Sequence, residues 1–170
     1  METDFEVTTV QTKRVLQQAC SRIMRVRLIV HGALWIAAGI GFSLFVCLRG
    51  IENAYSFAAI FAMACVGVAA YRIQSVPKRY GEQTYSEAVK LYREPIQQTI
   101  QVYGERLVAE NRQTRTTHTC DLKDCAAVLE SRELLILKTK KKTFLILDKA
   151  GFTKGTPEAF LAHCRKLREK

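Results

Sequence analysis

The sequence predicts a helical hairpin that crosses a membrane, followed by a small soluble domain of the α+β class. Residues 28–48 and 54–71 contain no Asp, Glu, Lys or Arg, and only five residues separate them. At about 1.5 Å of helix per residue, each segment is about 27–31 Å long, the thickness of the hydrocarbon core of a bilayer. Beyond residue 96 apolar residues alternate with polar ones, which is typical of half-buried strands. The chain therefore divides into a membrane anchor and a soluble part.

The net charge of +10 resides outside the hairpin. Residues 1–27 have a net charge of +2 and residues 72–170 of +8, whereas residues 49–53 are neutral. Under the positive-inside rule, both termini are predicted to lie in the cytoplasm. A cleaved signal peptide fits less well, because the first apolar segment begins only at residue 28 and a second follows at once. Nucleic acid is not expected as a partner, since attraction to an anionic leaflet explains the positive excess.

Residues 1–27 are predicted to form a cytoplasmic arm and an amphipathic helix. Phe5 and Val7 alternate with polar neighbours, which suits a short strand or an extended arm. Residues 10–27 place apolar side chains at three- and four-residue steps, opposite basic ones. This helix either lies among lipid headgroups or packs against the soluble domain of its own chain, and the sequence favours neither interpretation.

Small residues recur every four positions in both apolar segments: Ala33, Ala37 and Gly41 in the first, and Ala54, Ala58 and Ala62 in the second. Because small side chains let membrane helices approach closely, these are predicted to pack the two helices of the hairpin together. Dimerisation through the same residues is the alternative. His31, near the start of the first segment, is predicted to reach the interface rather than to move protons, because neither segment offers it an ionisable partner.

A linker of residues 72–95 is predicted to join the hairpin to the soluble domain. Pro77 and Gly81 are expected to interrupt the helix as it leaves the membrane. A separate short helix should then form at residues 84–94, and Pro95 should end it.

Residues 96–170 are predicted to form a small antiparallel sheet with one covering helix. Short segments of strand-like composition, the first alternating, the third rich in Thr and the last two strongly apolar, are joined by polar turns. They indicate a meander of strands at 96–103, 106–110, 114–120, 126–130, 134–138 and 144–147. Thr156-Pro157-Glu158 is typical of a helix start, because it supplies a capping oxygen, a proline in the first turn and a negative charge. The helix that follows should cover one side or end of the sheet.

The order of hairpin, sheet and terminal helix resembles the YcxB-like family of bacterial membrane proteins. The resemblance is carried by loose patterns at residues 103–107, 116–121, 126–130, 134–137, 146–152 and 158–160. Asp148 stands where the family often has proline. The resemblance implies a barrel of the pleckstrin-homology type for residues 96–170 and a location in the bacterial cytoplasmic membrane. It offers no catalytic residue.

One spacing suggests a metal site, the H-x-C-x4-C formed by His118, Cys120 and Cys125. His163 or Cys164 would be a further candidate ligand. Zinc sites usually combine two closely spaced pairs of ligands, which this pattern does not supply. The favoured interpretation is therefore an exposed histidine with buried cysteines.

The sequence contains no signature of catalysis. G-x-S-x-G, the P-loop and the dinucleotide-binding glycine pattern are absent, and no local signature supports a Cys–His pair. The protein is therefore predicted not to be an enzyme and to need no cofactor. The cysteines outside the hairpin are not expected to form disulfides, because cytoplasmic thiols stay reduced.

Lysines crowd the turn between the last two predicted strands: Lys138, Lys140, Lys141 and Lys142. They are candidates for contact with anionic lipid, although the favoured interpretation is that they keep the sheet edge soluble and unpaired. The expected function is an anchored module that binds a protein partner, associates with itself or supports a membrane complex. A sensor or binder of anionic lipid or of a small ligand, acting through the C-terminal domain, is the alternative.

Overall fold

A computed structural model describes residues 3–49, 53–140 and 143–168. In chain order its elements are β1 (Phe5–Val10), α1 (Lys13–Leu48), α2 (Ala54–Tyr92), β2 (Gln97–Tyr103), β3 (Arg106–Asn111), β4 (Thr116–Asp121), β5 (Cys125–Glu130), β6 (Leu134–Thr139), β7 (Phe144–Asp148), β8 (Phe152–Lys154) and α3 (Pro157–Arg168). The strands form a five-stranded sheet in the order β4-β3-β2-β1-β8 and a three-stranded sheet in the order β5-β6-β7. Two long apolar helices, a small antiparallel sheet domain and a C-terminal helix are thus present, as predicted.

Helices α1 and α2 form an antiparallel hairpin, and both are long and apolar enough to cross a membrane. The prediction of a separate linker helix was wrong, because α2 is continuous through Pro77 and Gly81. Helix α1 packs against α2 on both sides of Pro77, and the backbone of Gln17 lies directly against Gly81. This support lets the helix continue despite the backbone donor that proline lacks. Helix α2 ends before Arg93, whose φ of 61° is left-handed.

The contact between the two helices uses a different set of small residues in α1 from the one predicted. The buried residues of its apolar part recur every seven positions: Gly32, Gly39 and Val46. The predicted residues, at four-residue spacing, are exposed: Ala33, Ala37 and Gly41. A seven-residue repeat keeps facing a partner along a long helix, whereas a four-residue repeat drifts around the axis. In α2 the predicted Ala54 and Ala58 are buried, and Ala62 is half-buried.

Strand β1, from the N-terminal arm, lies inside the five-stranded sheet. The strand suggested by the alternation of Phe5 and Val7 is therefore confirmed. It pairs antiparallel with β2, from Phe5 opposite Val102 to Val10 opposite Gln97, and it pairs with β8 on its other side. The predicted boundaries, 1–27 for the arm and 96–170 for the domain, separate segments that share one sheet. Local periodicity could not reveal this pairing, because hydrogen bonds between distant strands leave no mark on either strand alone.

The main core lies between the two sheets and α3. Phe160 of α3 has no exposed surface (0%), and its ring contacts Phe5 and Phe152 at centroid distances of 5.5 and 6.0 Å. The predicted helix start is confirmed, since the backbone N–H of Ala159 donates to Thr156 Oγ1 at 3.2 Å. The interior of the sheet domain is therefore filled with side chains, and candidate binding surfaces lie outside it.

The first turns of α1 pack against the sheet domain. A second core joins two residues of α1 to residues of β6 and β7: Leu16, Ala19, Leu134, Ile136 and Ile146. Of the two interpretations of the amphipathic helix, packing against the chain's own domain is the observed one. Because α1 continues without a break into its apolar segment, this core fixes the sheet domain to the hairpin.

Candidate functional site

A groove lined by basic residues, here the basic groove, opens where the sheet domain meets the hairpin. It has a volume of about 710 Å³ and lies between α1, α2 and the turn that joins β5 to β6. Its charged lining consists of five cations and one anion, a net charge of +4: Arg14, Arg22, Arg25, Lys78, Arg132 and Glu133. The sheet domain and the hairpin thus jointly form a strongly positive concave surface.

Glu133 shows how the basic groove holds a carboxylate. Its side chain forms an ion pair with Arg14 and accepts a hydrogen bond from Gln18 Nε2 at 2.9 Å. In the described part of the chain, Arg22, Arg25 and Arg132 make no ion pair. The groove therefore keeps an excess of positive charge that its own residues do not neutralise.

The helical rise determines how far the basic groove extends from the apolar segment. Arg25 lies three residues before Leu28, the first residue of that segment, and Arg14 lies eleven residues before Arg25. At about 1.5 Å per residue, the groove runs about 16 Å along α1, away from the hairpin's apolar part. The headgroup layer of a bilayer is only about 5–8 Å thick. Much of the groove would therefore lie in the aqueous phase above a membrane.

A second concavity, here the interhelical groove, lies between α1 and α2 at the level where their apolar segments begin. Its volume is about 340 Å³, and it shares no lining residue with the basic groove. Arg27 and Arg72 line it, and each borders the apolar segment of its own helix. The exposed His31 lines the same groove, with Nδ1 2.8 Å from the carbonyl oxygen of Arg27. Cationic and apolar groups thus meet in one narrow site.

A third concavity, of about 720 Å³, contains part of the predicted metal pattern. His118 and Cys120 line it, and Cys125 is buried beside it. A hydrogen bond with the Cys120 side chain, together with burial, raises the pKa of the Cys125 thiol far above its ordinary value. His163, named above as a further candidate ligand, makes a different contact: its Nε2 lies 2.8 Å from the carbonyl oxygen of Gly104. Among residues 3–49, 53–140 and 143–168, no three His, Cys, Asp or Glu side chains are arranged to hold a metal.

The lysine-rich turn lies partly outside the described residues. Lys138 is half-buried, and Lys140 Nζ donates to Asp124 Oδ1 at 2.8 Å. Lys141 and Lys142 fall in the part of the chain that the structure does not describe. The described lysines of this turn therefore do not form a concentrated cationic site.

Sequence analysis missed the basic groove, although it found the positive charge concentrated on both sides of the hairpin. Arg22 and Arg25 precede the first apolar segment and Lys78 follows the second, which was a usable signal, whereas Arg132 reaches the groove only through folding. Comparison of the chain with protein-family models, with curated proteins and with solved structures finds no match.

Proposed function

We propose that the protein is a membrane-anchored interaction module that binds an acidic segment of a partner protein in the basic groove. The hairpin inserts into a bacterial cytoplasmic membrane, with both termini in the cytoplasm, and the chain is a YcxB-like protein whose sheet domain is of the pleckstrin-homology type. The positive-inside rule supports the proposed orientation, and the filled two-sheet domain with its C-terminal helix supports the proposed domain type. The proposed family and the bacterial membrane depend on the sequence resemblance alone. No catalytic step is part of the proposal.

The single observation that carries the proposal is the net charge of +4 in a groove of about 710 Å³. Charge-assisted hydrogen bonds from Arg to carboxylate are among the strongest polar contacts in proteins. Glu133 already places a carboxylate against Arg14 and Gln18, so the geometry suits Asp or Glu side chains. The unneutralised cations beside it would attract further carboxylates and speed their association.

The extent of the basic groove favours a protein segment over a lipid as its ligand. The groove runs about 16 Å along α1, which exceeds the thickness of a headgroup layer. An extended peptide covers about 3.3 Å per residue, so about five residues would fill this length. Because the second core fixes the domain to the hairpin, the bound segment would be held at a constant height above the membrane.

Binding of a defined acidic peptide tests the proposal. The full chain is reconstituted in nanodiscs of phosphatidylcholine, with a photo-reactive amino acid at Ser21, which lines the groove. A decapeptide of alternating Glu and Ala should crosslink, and the same peptide with Gln in place of Glu should not. The R22E/R25E variant should lose the adduct, and raised salt should weaken it. The K90E/K166E variant reverses two exposed charges outside the groove and should keep it.

Three outcomes would overturn this assignment. Equal crosslinking by the Gln peptide would show that charge does not select the ligand. An adduct that survives R22E/R25E would place the peptide elsewhere. An adduct formed only between two copies of the chain would favour self-association over a separate partner.

The proposed orientation is tested separately by labelling engineered cysteines in intact cells. Asn53 lies at the short connection between the helices, whereas Lys90 lies near the end of α2, and both are exposed. In a background without native cysteines, Asn53→Cys should react with an impermeant reagent from outside, and Lys90→Cys only after the membrane is opened. The reverse pattern would contradict the cytoplasmic location of the sheet domain.

A second candidate function is binding of anionic lipid, and a specific observation favours it. The interhelical groove brings Arg27 and Arg72 to the level where a phosphate layer would lie. The lysine-rich turn is a weaker lipid site, because Lys140 already contacts Asp124. Reversal of the charges on Lys138 and Lys140 should therefore leave the binding of anionic vesicles nearly unchanged.

A further inference from the structure

We propose that the interhelical groove binds one phospholipid with an anionic headgroup, whose phosphate lies between Arg27 and Arg72. This inference rests on the proposed insertion of the hairpin and is independent of the acidic partner. The basic groove and the interhelical groove share no residue, so the two ligands would occupy separate surfaces.

The position of the two arginines indicates a lipid phosphate. Arg27 directly precedes the first uncharged segment, and Arg72 directly follows the second, so both lie at the same end of the hairpin. Both side chains are exposed and line the same groove. Guanidinium groups bind phosphate oxygens in a bidentate manner, and basic side chains at this depth are attracted to anionic leaflets.

The walls of the interhelical groove suit the first part of an acyl chain. Gly32 and Ala69 form the close contact between the helices, since a Cβ at Gly32 would lie 3.5 Å from Ala69 Cβ. Trp35 lines the groove about 10 Å deeper than Leu28 along the helix, at about 1.5 Å per residue. Two cations above an apolar surface therefore complement a phospholipid, whose anionic headgroup lies above its apolar chains.

Trp35 also supplies the measurement, because it is the single tryptophan of the chain and it lines the groove. The full chain is reconstituted in vesicles that mix phosphatidylglycerol and phosphatidylcholine, with bromine on the acyl chains of one lipid at a time. Bromine quenches tryptophan on contact. We expect brominated phosphatidylglycerol to quench Trp35 far more than its mole fraction predicts, and brominated phosphatidylcholine to quench it less.

The charge dependence is tested with matched double variants. Each basic side chain near an anionic surface contributes about a factor of five in affinity, so R27Q/R72Q should reduce the preference for phosphatidylglycerol about 25-fold. The R22Q/R25Q variant removes two arginines of the basic groove, of which only Arg25 lies close to the same interface, so it should reduce the preference by no more than about fivefold. R27K/R72K retains the charge and should keep most of it, which distinguishes a loss of binding from a loss of folding.

Three results would overturn the proposal. Quenching proportional to mole fraction in the unmodified protein would mean that no anionic lipid is selected. An equal loss in R22Q/R25Q would mean that net charge, rather than this groove, is responsible. Relief of the quenching by millimolar inorganic phosphate would assign the site to free phosphate. Failure of the acidic peptide to bind would contradict only the proposed partner and not the lipid.

Discussion

The close approach of the two helices at Gly81 makes its replacement by alanine an informative perturbation. A Cβ at this position would lie 2.7 Å from both Cα and N of Gln17 and 2.9 Å from the carbonyl carbon of Leu16. These are backbone atoms, so no side-chain rotation can relieve the overlap. Carbon atoms in contact are normally about 3.5–4.0 Å apart, so α1 would have to move by about 1 Å.

The expected magnitude follows from two opposing effects of Gly81→Ala. Overpacking of this kind costs about 1–3 kcal/mol. The greater helix preference of alanine offsets about 1 kcal/mol of it. The free energy of unfolding should therefore fall by as much as about 2 kcal/mol. Because Leu16 also belongs to the second core, the same displacement should weaken the attachment of the sheet domain to the hairpin.

Gly67→Ala is the matched control for this prediction. A Cβ there meets no atom within 4 Å, so the substitution changes helix preference without changing the packing. Unfolding of both variants by urea in mixed micelles, followed through the fluorescence of Trp35, gives the comparison. Gly81→Ala should be less stable than Gly67→Ala by about 1–3 kcal/mol, the overpacking cost alone. Equal stability of the two variants would refute the close helix contact on which the reasoning depends.

Three further perturbations follow from the sheet domain. A Cβ at Gly151 would lie 2.0 Å from the carbonyl oxygen of Thr8, so Gly151→Ala should lower the free energy of unfolding by about 3 kcal/mol in a urea titration. The raised pKa of the buried Cys125 thiol predicts that iodoacetamide at pH 7.5 leaves it unmodified in the folded protein and alkylates it after denaturation, which mass spectrometry can detect. The hydrogen bond from Lys149 lowers the pKa of Glu130 below its ordinary value of 4.5. The stabilisation from this pair is therefore present above that value and lost as the pH falls through the lowered pKa, so Glu130→Gln should lower Tm slightly at pH 7 and by less as the pH falls below 4.5.

Much of the secondary structure could be predicted because it depends on local patterns. The absence of charge over residues 28–48 and 54–71 is sufficient to indicate two long apolar helices. Alternation of apolar and polar residues in β2, and the strand-like composition of the later segments, located the strands from β2 to β7 to within a few residues. The three-residue β8 escaped notice, because a strand that short contains too few alternations to recognise.

Predictions that depended on contacts between distant segments were less successful. Pro77 is an ordinary helix breaker when its neighbours are unknown, and only the packing of α1 along α2 shows why the helix continues. The small residues of α1 formed two repeats, and the geometry of a long helix pair decided that Gly32 and Gly39 face the partner. In each case local preference indicated a different outcome from the one observed, and the packing of the two helices decided the result.

By itself the sequence determined that this protein has two bilayer-length apolar helices, a basic exterior and a strand-rich C-terminal region, since length, charge and period are properties of contiguous residues. Only the tertiary structure decided that β1 joins the sheet and that Arg22 and Arg132, 110 positions apart, line one groove. The physical reason is burial of the apolar side of α1, where Leu16 and Ala19 leave water by packing on β6 and β7. That contact brings the turn after β5 against the hairpin and creates the basic groove.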